Sequence, residues 1–194
     1  MSYYYLIASL PSLAMGQEPI TEKEFLTRCA AELSQRDYKI LRQLDEMPLP
    51  EDTPKTAFVR SWNNLETQLR NATARMRASK RQRDATPVLR THGGYATIIE
   101  DGVENAWAQP NPLERERSLD KLRWTLLDDL QGPDPFSFSV ILSYAVKRSI
   151  AARWSQMDSE TGWKKAKERF EQQPAGQDRQ DEPETASLET GAQN

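Results

Sequence analysis

Apolar side chains recur at helical spacing along most of this chain, and the clearest series lies between residues 54 and 80. Its members are separated by four or three positions in turn, which is the spacing of a heptad seam. The series consists of Phe58, Trp62, Leu65, Leu69, Ala72 and Met76. Thr53 and Pro54 precede it as a capping residue and a proline at the first helical position. The pattern predicts one long helix that packs along another helix of the same chain.

Shorter apolar stripes on both sides of this helix predict further helices. Several of them begin directly after a residue or residue pair that is typical of a helix N-terminus. These signals are Thr21 with Glu24, Ser34, Asn111-Pro112, Asp134-Pro135 and Ser159. The last of them predicts a helix from about 160 to 172. Between residues 85 and 108 the apolar spacing is only roughly helical, and Gly102 interrupts it.

The two ends of the chain differ from the middle. Residues 3–10 are aromatic and β-prone, which favours either a short extended segment or a first buried helical turn. From residue 173 onward the sequence is acidic and polar, and Leu188 is its only large apolar residue, which is typical of a disordered tail. The prediction is an all-α fold: a multi-helix bundle in a single domain, residues 1–172, followed by an acidic tail, residues 173–194.

Composition narrows the chemistry that this fold could carry. The formal net charge is −3, and the chain has a single cysteine, Cys29, and a single histidine, His92. One thiol and one imidazole cannot form an internal disulfide or a zinc-type site, and the apolar setting of Cys29 predicts a buried, inert thiol. No apolar run approaches the roughly 18 residues of a membrane span, and no signal peptide is recognisable. We therefore expect a cytoplasmic protein.

Motifs for nucleotide binding and for nucleophilic catalysis are absent from the sequence. His92 precedes Gly93-Gly94 and is interpreted as a loop residue, because the sequence sets no nucleophile against it. The paired carboxylates Asp128-Asp129 and Glu114/Glu116 fall on polar helix faces and are interpreted as solvated. The sequence therefore predicts no catalytic residue, no cofactor and no metal site.

Charge is unevenly distributed along the chain. Residues 60–90 carry eight basic and two acidic side chains, whereas six acidic residues and one basic residue follow from 171 to the end. The densest basic stretch is the candidate contact for an acidic partner, and it consists of Arg75, Arg77, Lys80, Arg81 and Arg83. A solvated helix end is the alternative interpretation. Nucleic acid is disfavoured, because no aromatic side chain between 75 and 90 could stack on a base.

Two blocks of the sequence resemble a bacterial protein family. The first is YYYLIASLPSL at residues 3–13 with the PI and EFL that follow it, and the second is NPLERE at 111–116 with LDKLRW at 119–124. The likeness continues through Tyr144 and Arg153-Trp154 to Gly162. On these residues the chain resembles an uncharacterised family encoded within V/A-type ATPase operons, and it is distantly similar to the socket-like C subunit of those ATPases, which is called d in eukaryotes. The positions that carry the resemblance are Tyr4, Tyr5, Pro11, Pro112, Glu114, Glu116, Asp120, Arg123, Trp124, Tyr144, Arg153 and Trp154.

The resemblance implies an all-helical, non-catalytic protein that couples, or helps to assemble, the parts of a V/A-type ATPase. The expected partners are other subunits of that complex, in the rotor shaft, the membrane ring or both. The expected location is the cytoplasm, or the inner face of the membrane when the protein is bound to the complex. The residues by themselves leave two alternatives open: a nucleic-acid-binding helical protein that uses the basic stretch 75–83, and a general helical adaptor whose heptad seam pairs with a partner helix.

Overall fold

A computed structural model of the chain describes residues 3–44 and 56–157. These two ranges contain seven α-helices, one 3-10 turn and no strand. The helices are α1 (Tyr4–Ser9), α2 (Glu22–Glu32), α3 (Gln35–Gln43), α4 (Ala57–Lys80), α5 (Thr97–Trp107), α6 (Pro112–Leu130) and α7 (Phe138–Gln156), and the 3-10 turn is Thr86–Val88. The predicted all-α class is confirmed. The predicted helix at 160–172, the domain boundary at 172 and the acidic tail lie outside the described residues. The predicted cap of the long helix at Thr53-Pro54 is wrong, because α4 begins at Ala57 and the Thr56 hydroxyl accepts from the Val59 N–H at 3.3 Å.

Side-chain caps begin several helices where the sequence predicts them. The Thr21 hydroxyl accepts a hydrogen bond from the Glu24 N–H at 3.2 Å. The hydroxyl of Ser34 caps α3 in the same way. Asn111 Oδ1 accepts from the Glu114 N–H at 2.8 Å at the start of α6. Each cap satisfies a backbone donor that the first helical turn leaves without a partner.

Three elements either differ from the sequence prediction or decide between the alternatives that it left open. The opening segment is helical rather than extended, and α5 runs without a break through Gly102. A Cβ at Gly102 would lie 2.6 Å from Leu122 Cδ2, so the glycine is there because α5 and α6 approach closely. The prediction that α7 begins at Asp134-Pro135 is wrong, because the Asp134 carboxylate accepts from the Phe136 N–H and closes a turn before the helix.

The long helix α4 packs inside the chain, as its heptad seam predicts. α4 contacts α5 and α6, while α6 also contacts α7, and the short helices α1 to α3 follow one another onto α7. Phe58, Trp62 and Leu69 are buried, and Leu65 and Met76 are half-buried against the same core. α7 buries side chains on more than one face, including Ile141, Leu142 and Ala145. The apolar side chains of the seam are therefore buried against other helices of the same chain.

Candidate functional site

A buried network of charges joins α4, α6 and α7 on one side of the bundle. Its centre is Asp120 on α6, whose side chain is fully buried. One carboxylate oxygen accepts from Arg123 Nη1 at 2.9 Å, and the other accepts from the Trp154 indole N–H at 2.7 Å and from the Arg153 guanidinium. A buried carboxylate needs such donors, because removal from water without them is strongly unfavourable. Asp120 thus ties α6 to the C-terminal half of α7.

The same network reaches α4 through a second buried acid, Glu66. Its carboxylate accepts from Arg123 Nε at 3.0 Å and from Arg70 Nε at 2.9 Å. Arg123 therefore lies between two carboxylates. Burial disfavours the charged guanidinium, but the negative charges and hydrogen bonds of Glu66 and Asp120 outweigh it and raise the pKa of Arg123 above its ordinary value. The hydrogen bonds of this cluster hold its charged groups in place. The described residues of the cluster do not set a nucleophile against a base.

A second polar series on α4 holds the chain between α4 and α5. Asn71 donates from Nδ2 to the Arg90 carbonyl at 2.7 Å and accepts from the Arg90 N–H at 3.0 Å. Gln68 makes the same pair of hydrogen bonds with Ala96, both at 2.9 Å. Each amide side chain thus donates to the carbonyl and accepts from the N–H of one backbone residue, which is the pairing that a neighbouring β-strand provides. Asn64 accepts from the Gly93 N–H one turn earlier, so the segment 90–96 lies along α4.

The predicted basic stretch divides into two parts. Arg75 is paired: its Nη2 lies 2.8 Å from both carboxylate oxygens of Glu100 on α5. The remaining cations are exposed and have no ion-pair partner among residues 3–44 and 56–157. They are Arg77, Lys80, Arg81 and Arg83. All five predicted contact residues are thus exposed, and four of them have no ion-pair partner within the described ranges.

A groove of about 510 Å³ lies beside these cations. The C-terminal half of α4 forms one wall, the loop 81–88 forms the second, and α6 closes the third. Arg77, Arg81 and Arg83 line it, together with Glu116 of α6. The groove therefore brings the predicted contact stretch together with two residues of the family resemblance, Glu116 and Arg123.

The other residues of the resemblance occupy different places. Tyr144 donates a hydrogen bond to the Pro11 carbonyl at 3.0 Å and stacks on Phe25 with ring centroids 5.4 Å apart. Burial raises the pKa of Tyr144 above its ordinary value. Trp124 lies under the Lys147 ammonium at 5.2 Å. The remaining members are exposed or lie at the start of a helix: Tyr4, Tyr5, Pro112 and Glu114.

The lone histidine and cysteine lie apart from these clusters. His92 is half-buried in the segment before α5, and its Nδ1 has no hydrogen-bond partner in the described part of the chain. Cys29 is fully buried in α2, and burial raises the pKa of its thiol to about 12. Within the described ranges no group of three or more His, Cys, Asp or Glu side chains is placed to hold a metal ion. No helix in those ranges is long and apolar enough to cross a membrane.

Sequence reasoning missed the acids at the centre of the buried network and the role of the amides on α4. Asp120 appears in the sequence only as one residue of the resemblance, and Glu66 only as a polar residue beside the seam. The signal that could have found the amides is their spacing, since Asn64, Gln68, Asn71 and Arg75 repeat every four and three positions, like the apolar seam.

Comparison with known proteins gives one similarity. Residues 101–172 match the model of a family described as a protein of unknown function, DUF2764. The matched region starts inside α5, contains α6 and α7 with Asp120, Arg123, Arg153 and Trp154, and ends beyond the described residues. No curated protein and no solved structure matches the chain. The similarity to DUF2764 covers the α6 and α7 side of the buried network and not Glu66 on α4.

Proposed function

We propose that this chain is a non-catalytic coupling subunit or assembly factor of a bacterial V/A-type ATPase. The observation that carries the proposal is the resemblance of its opening block and its 111–162 block to the family encoded in such operons. A protein in this role works by binding other subunits, and it needs a rigid frame with free surface groups rather than a reactive centre.

The packing of the two resembling blocks supports the proposal. Although the contacting residues lie 133 positions apart in sequence, the two blocks contact each other: the Tyr3 N–H donates to the Phe136 carbonyl at 2.9 Å, and the Tyr144 hydroxyl donates to the Pro11 carbonyl at 3.0 Å. Asp120, in the second block, holds Arg153 and Trp154 of the same block. The resemblance therefore covers a continuous part of the fold, and its buried members have a structural reason to be there.

The exposed members of the resemblance are suited to contact with a partner. Tyr5 is 79% exposed, and Tyr4 is 53% exposed while its ring packs against Phe136 with centroids 4.9 Å apart. Aromatic side chains of this kind provide large contact areas at protein interfaces. The exposure of these rings to water is unfavourable for the isolated protein. Binding to another protein of the complex would bury that apolar surface and so be favoured.

The test is affinity purification of the full chain from its native host, followed by identification of the proteins that accompany it. We expect subunits of the V/A-type ATPase, and we expect them to be depleted when Tyr4 and Tyr5 are both changed to Ala. The matched control is Arg36→Glu with Lys39→Glu, because both residues are exposed on α3 and neither belongs to the resembling blocks. Absence of the chain from the mature ATPase and from its assembly intermediates would remove the proposal.

A further inference from the structure

The groove beside the basic stretch combines free positive charge with an apolar floor. Its floor side chains are contributed by α4, the loop and α6: Leu69, Ala74, Ala78, Val88 and Leu119. Val88 is 63% exposed, although it lies next to this apolar surface. The small alanines leave the space that a larger side chain of another molecule could fill.

The loop that carries two of the cations is fixed at both ends. After α4 the Arg83 N–H donates to the Ala78 carbonyl at 2.9 Å and the Gln82 N–H to the Ser79 carbonyl at 3.1 Å, which together form a Schellman motif. Gln82 adopts a left-handed conformation there, with φ of 51°. At the other end of the loop Asn71 holds Arg90. The groove is therefore formed before any partner arrives, which lowers the entropy cost of binding.

One polar group on the groove remains unsatisfied. Thr73 lines the groove and is 8% exposed, yet its hydroxyl has no hydrogen-bond partner within the described ranges. Buried hydroxyls are nearly always hydrogen-bonded, so such a group is an unusual feature of a folded protein. The hydroxyl oxygen itself is enclosed, so the exposed cations are the polar groups that the groove offers to a further molecule.

We propose that this groove binds an acidic amphipathic segment of another protein, with apolar side chains on the floor and carboxylates against Arg77, Arg81 and Arg83. The proposal deepens the proposed function, and rests on it only in treating the chain as a protein-binding subunit. Cations at the rim and a small apolar floor are the complement of a helix that carries Leu on one face and Glu beside it.

A nucleic acid fits the groove less well. The phosphate backbone gains nothing from an apolar floor, and the described residues that line the groove include no aromatic side chain to stack on a base. Asp84 is held in place, since it accepts hydrogen bonds from the backbone N–H and the hydroxyl of Thr86 at 2.9 and 2.7 Å. Asp84 and Glu116 would repel a carboxylate placed against them, so the carboxylates of the bound segment are expected beside Arg77, Arg81 and Arg83 instead.

The probe is a fluorescein-labelled peptide in which Leu recurs every third or fourth position and Glu fills most of the others. We expect saturable binding to the full chain, and a loss of about tenfold or more for Arg77→Glu with Arg81→Glu, because two attractive charge contacts become repulsions. Ala78→Leu should weaken binding as well, since it fills the floor without changing the charge.

Three controls separate the proposal from its alternatives. Arg36→Glu with Lys39→Glu makes the same change of net charge on α3 and should leave the affinity unchanged. A peptide of equal composition with its Leu residues scattered should bind much more weakly, and so should a DNA duplex. Equal binding of the scattered peptide or of the duplex would overturn the proposal, as would unchanged binding by the Arg77/Arg81 variant with an intact circular dichroism spectrum.

The groove and the ATPase assignment can fail separately. If the Arg77/Arg81 variant still co-purifies fully with ATPase subunits and still binds the peptide, the groove proposal is wrong while the assignment stands. If the peptide binds as expected but no part of the ATPase accompanies the chain, the assignment is wrong and the groove stands.

Discussion

Gln68 offers a direct test of how α4 holds the segment before α5. Its side chain is 2% exposed, and its amide pairs with both the N–H and the carbonyl of Ala96. Methionine has a similar length and no amide, so Gln68→Met removes both hydrogen bonds while filling most of the same space. The variant therefore measures the contribution of the hydrogen bonds to stability separately from the contribution of side-chain packing.

The expected loss follows from the groups that are left without partners. A buried donor or acceptor that loses its hydrogen bond costs about 1–3 kcal/mol. Ala96 is only half-buried, so water reaches part of its backbone, and the lower half of that range applies to each group. We expect the free energy of unfolding to fall by about 2–3 kcal/mol. The weaker bond from Gln68 to Glu100 at 3.2 Å adds little, because Glu100 keeps Arg75.

Urea denaturation of the full chain, followed by circular dichroism, measures this loss, and amide hydrogen exchange locates it. The Ala96 amide should exchange faster in the variant. Gln35→Met is the matched control, since Gln35 is exposed at the start of α3 and should change stability by no more than about 0.5 kcal/mol. Equal stabilities of the two variants, with unchanged exchange at Ala96, would refute the reasoning.

The buried groups and the loop allow three further predictions. Asp120→Asn should lower the free energy of unfolding by about 3 kcal/mol, whereas Arg153→Gln, whose side chain is 48% exposed, should cost less than about 1 kcal/mol; equal shifts in urea midpoint would contradict this. Gln82→Gly should raise Tm, because a residue with a side chain loses about 1 kcal/mol in the left-handed conformation and glycine does not. A lower Tm would count against the Schellman geometry. Burial raises the pKa of Cys29 from 9.0 to about 12, so stability is full below pH 9 and declines as pH rises toward 12. Cys29→Ala should flatten this decline in urea titrations from about pH 8 to 11, and an unchanged slope would contradict the assignment.

The helices could be predicted from the sequence because their signals are local. A capping side chain at Thr21 or Asn111 acts on a backbone N–H three residues away, so the pattern and the contact lie within one turn. The α4 seam is equally local in its spacing, although the helices that cover it are not. The error at Asp134-Pro135 has the same origin, since that pair is typical both of a helix start and of the turn that it forms.

The interior charges could not be predicted, because their burial depends on distant partners. Glu66 lies beside the apolar seam by its spacing, but a charged side chain is typical of the surface, and only Arg123, 57 positions later, supplies the partner that its burial requires. Gln68 likewise finds its partner 28 positions away. Arg75 belongs to a basic stretch by sequence, but in the structure it pairs with Glu100 on α5 while its side chain stays 43% exposed. Sequence spacing places a side chain on a helix face and does not say what covers that face.

The contact between α1 and α7 has a consequence for the order in which the protein is made. Tyr3 leaves the ribosome well before the chain that holds it, because Phe136 and Phe138 follow it by more than a hundred residues. At the translation rates of cells, the opening aromatic segment therefore waits for many seconds without its final neighbours. Helix α1 can then reach its native position only after the start of α7 has been synthesised.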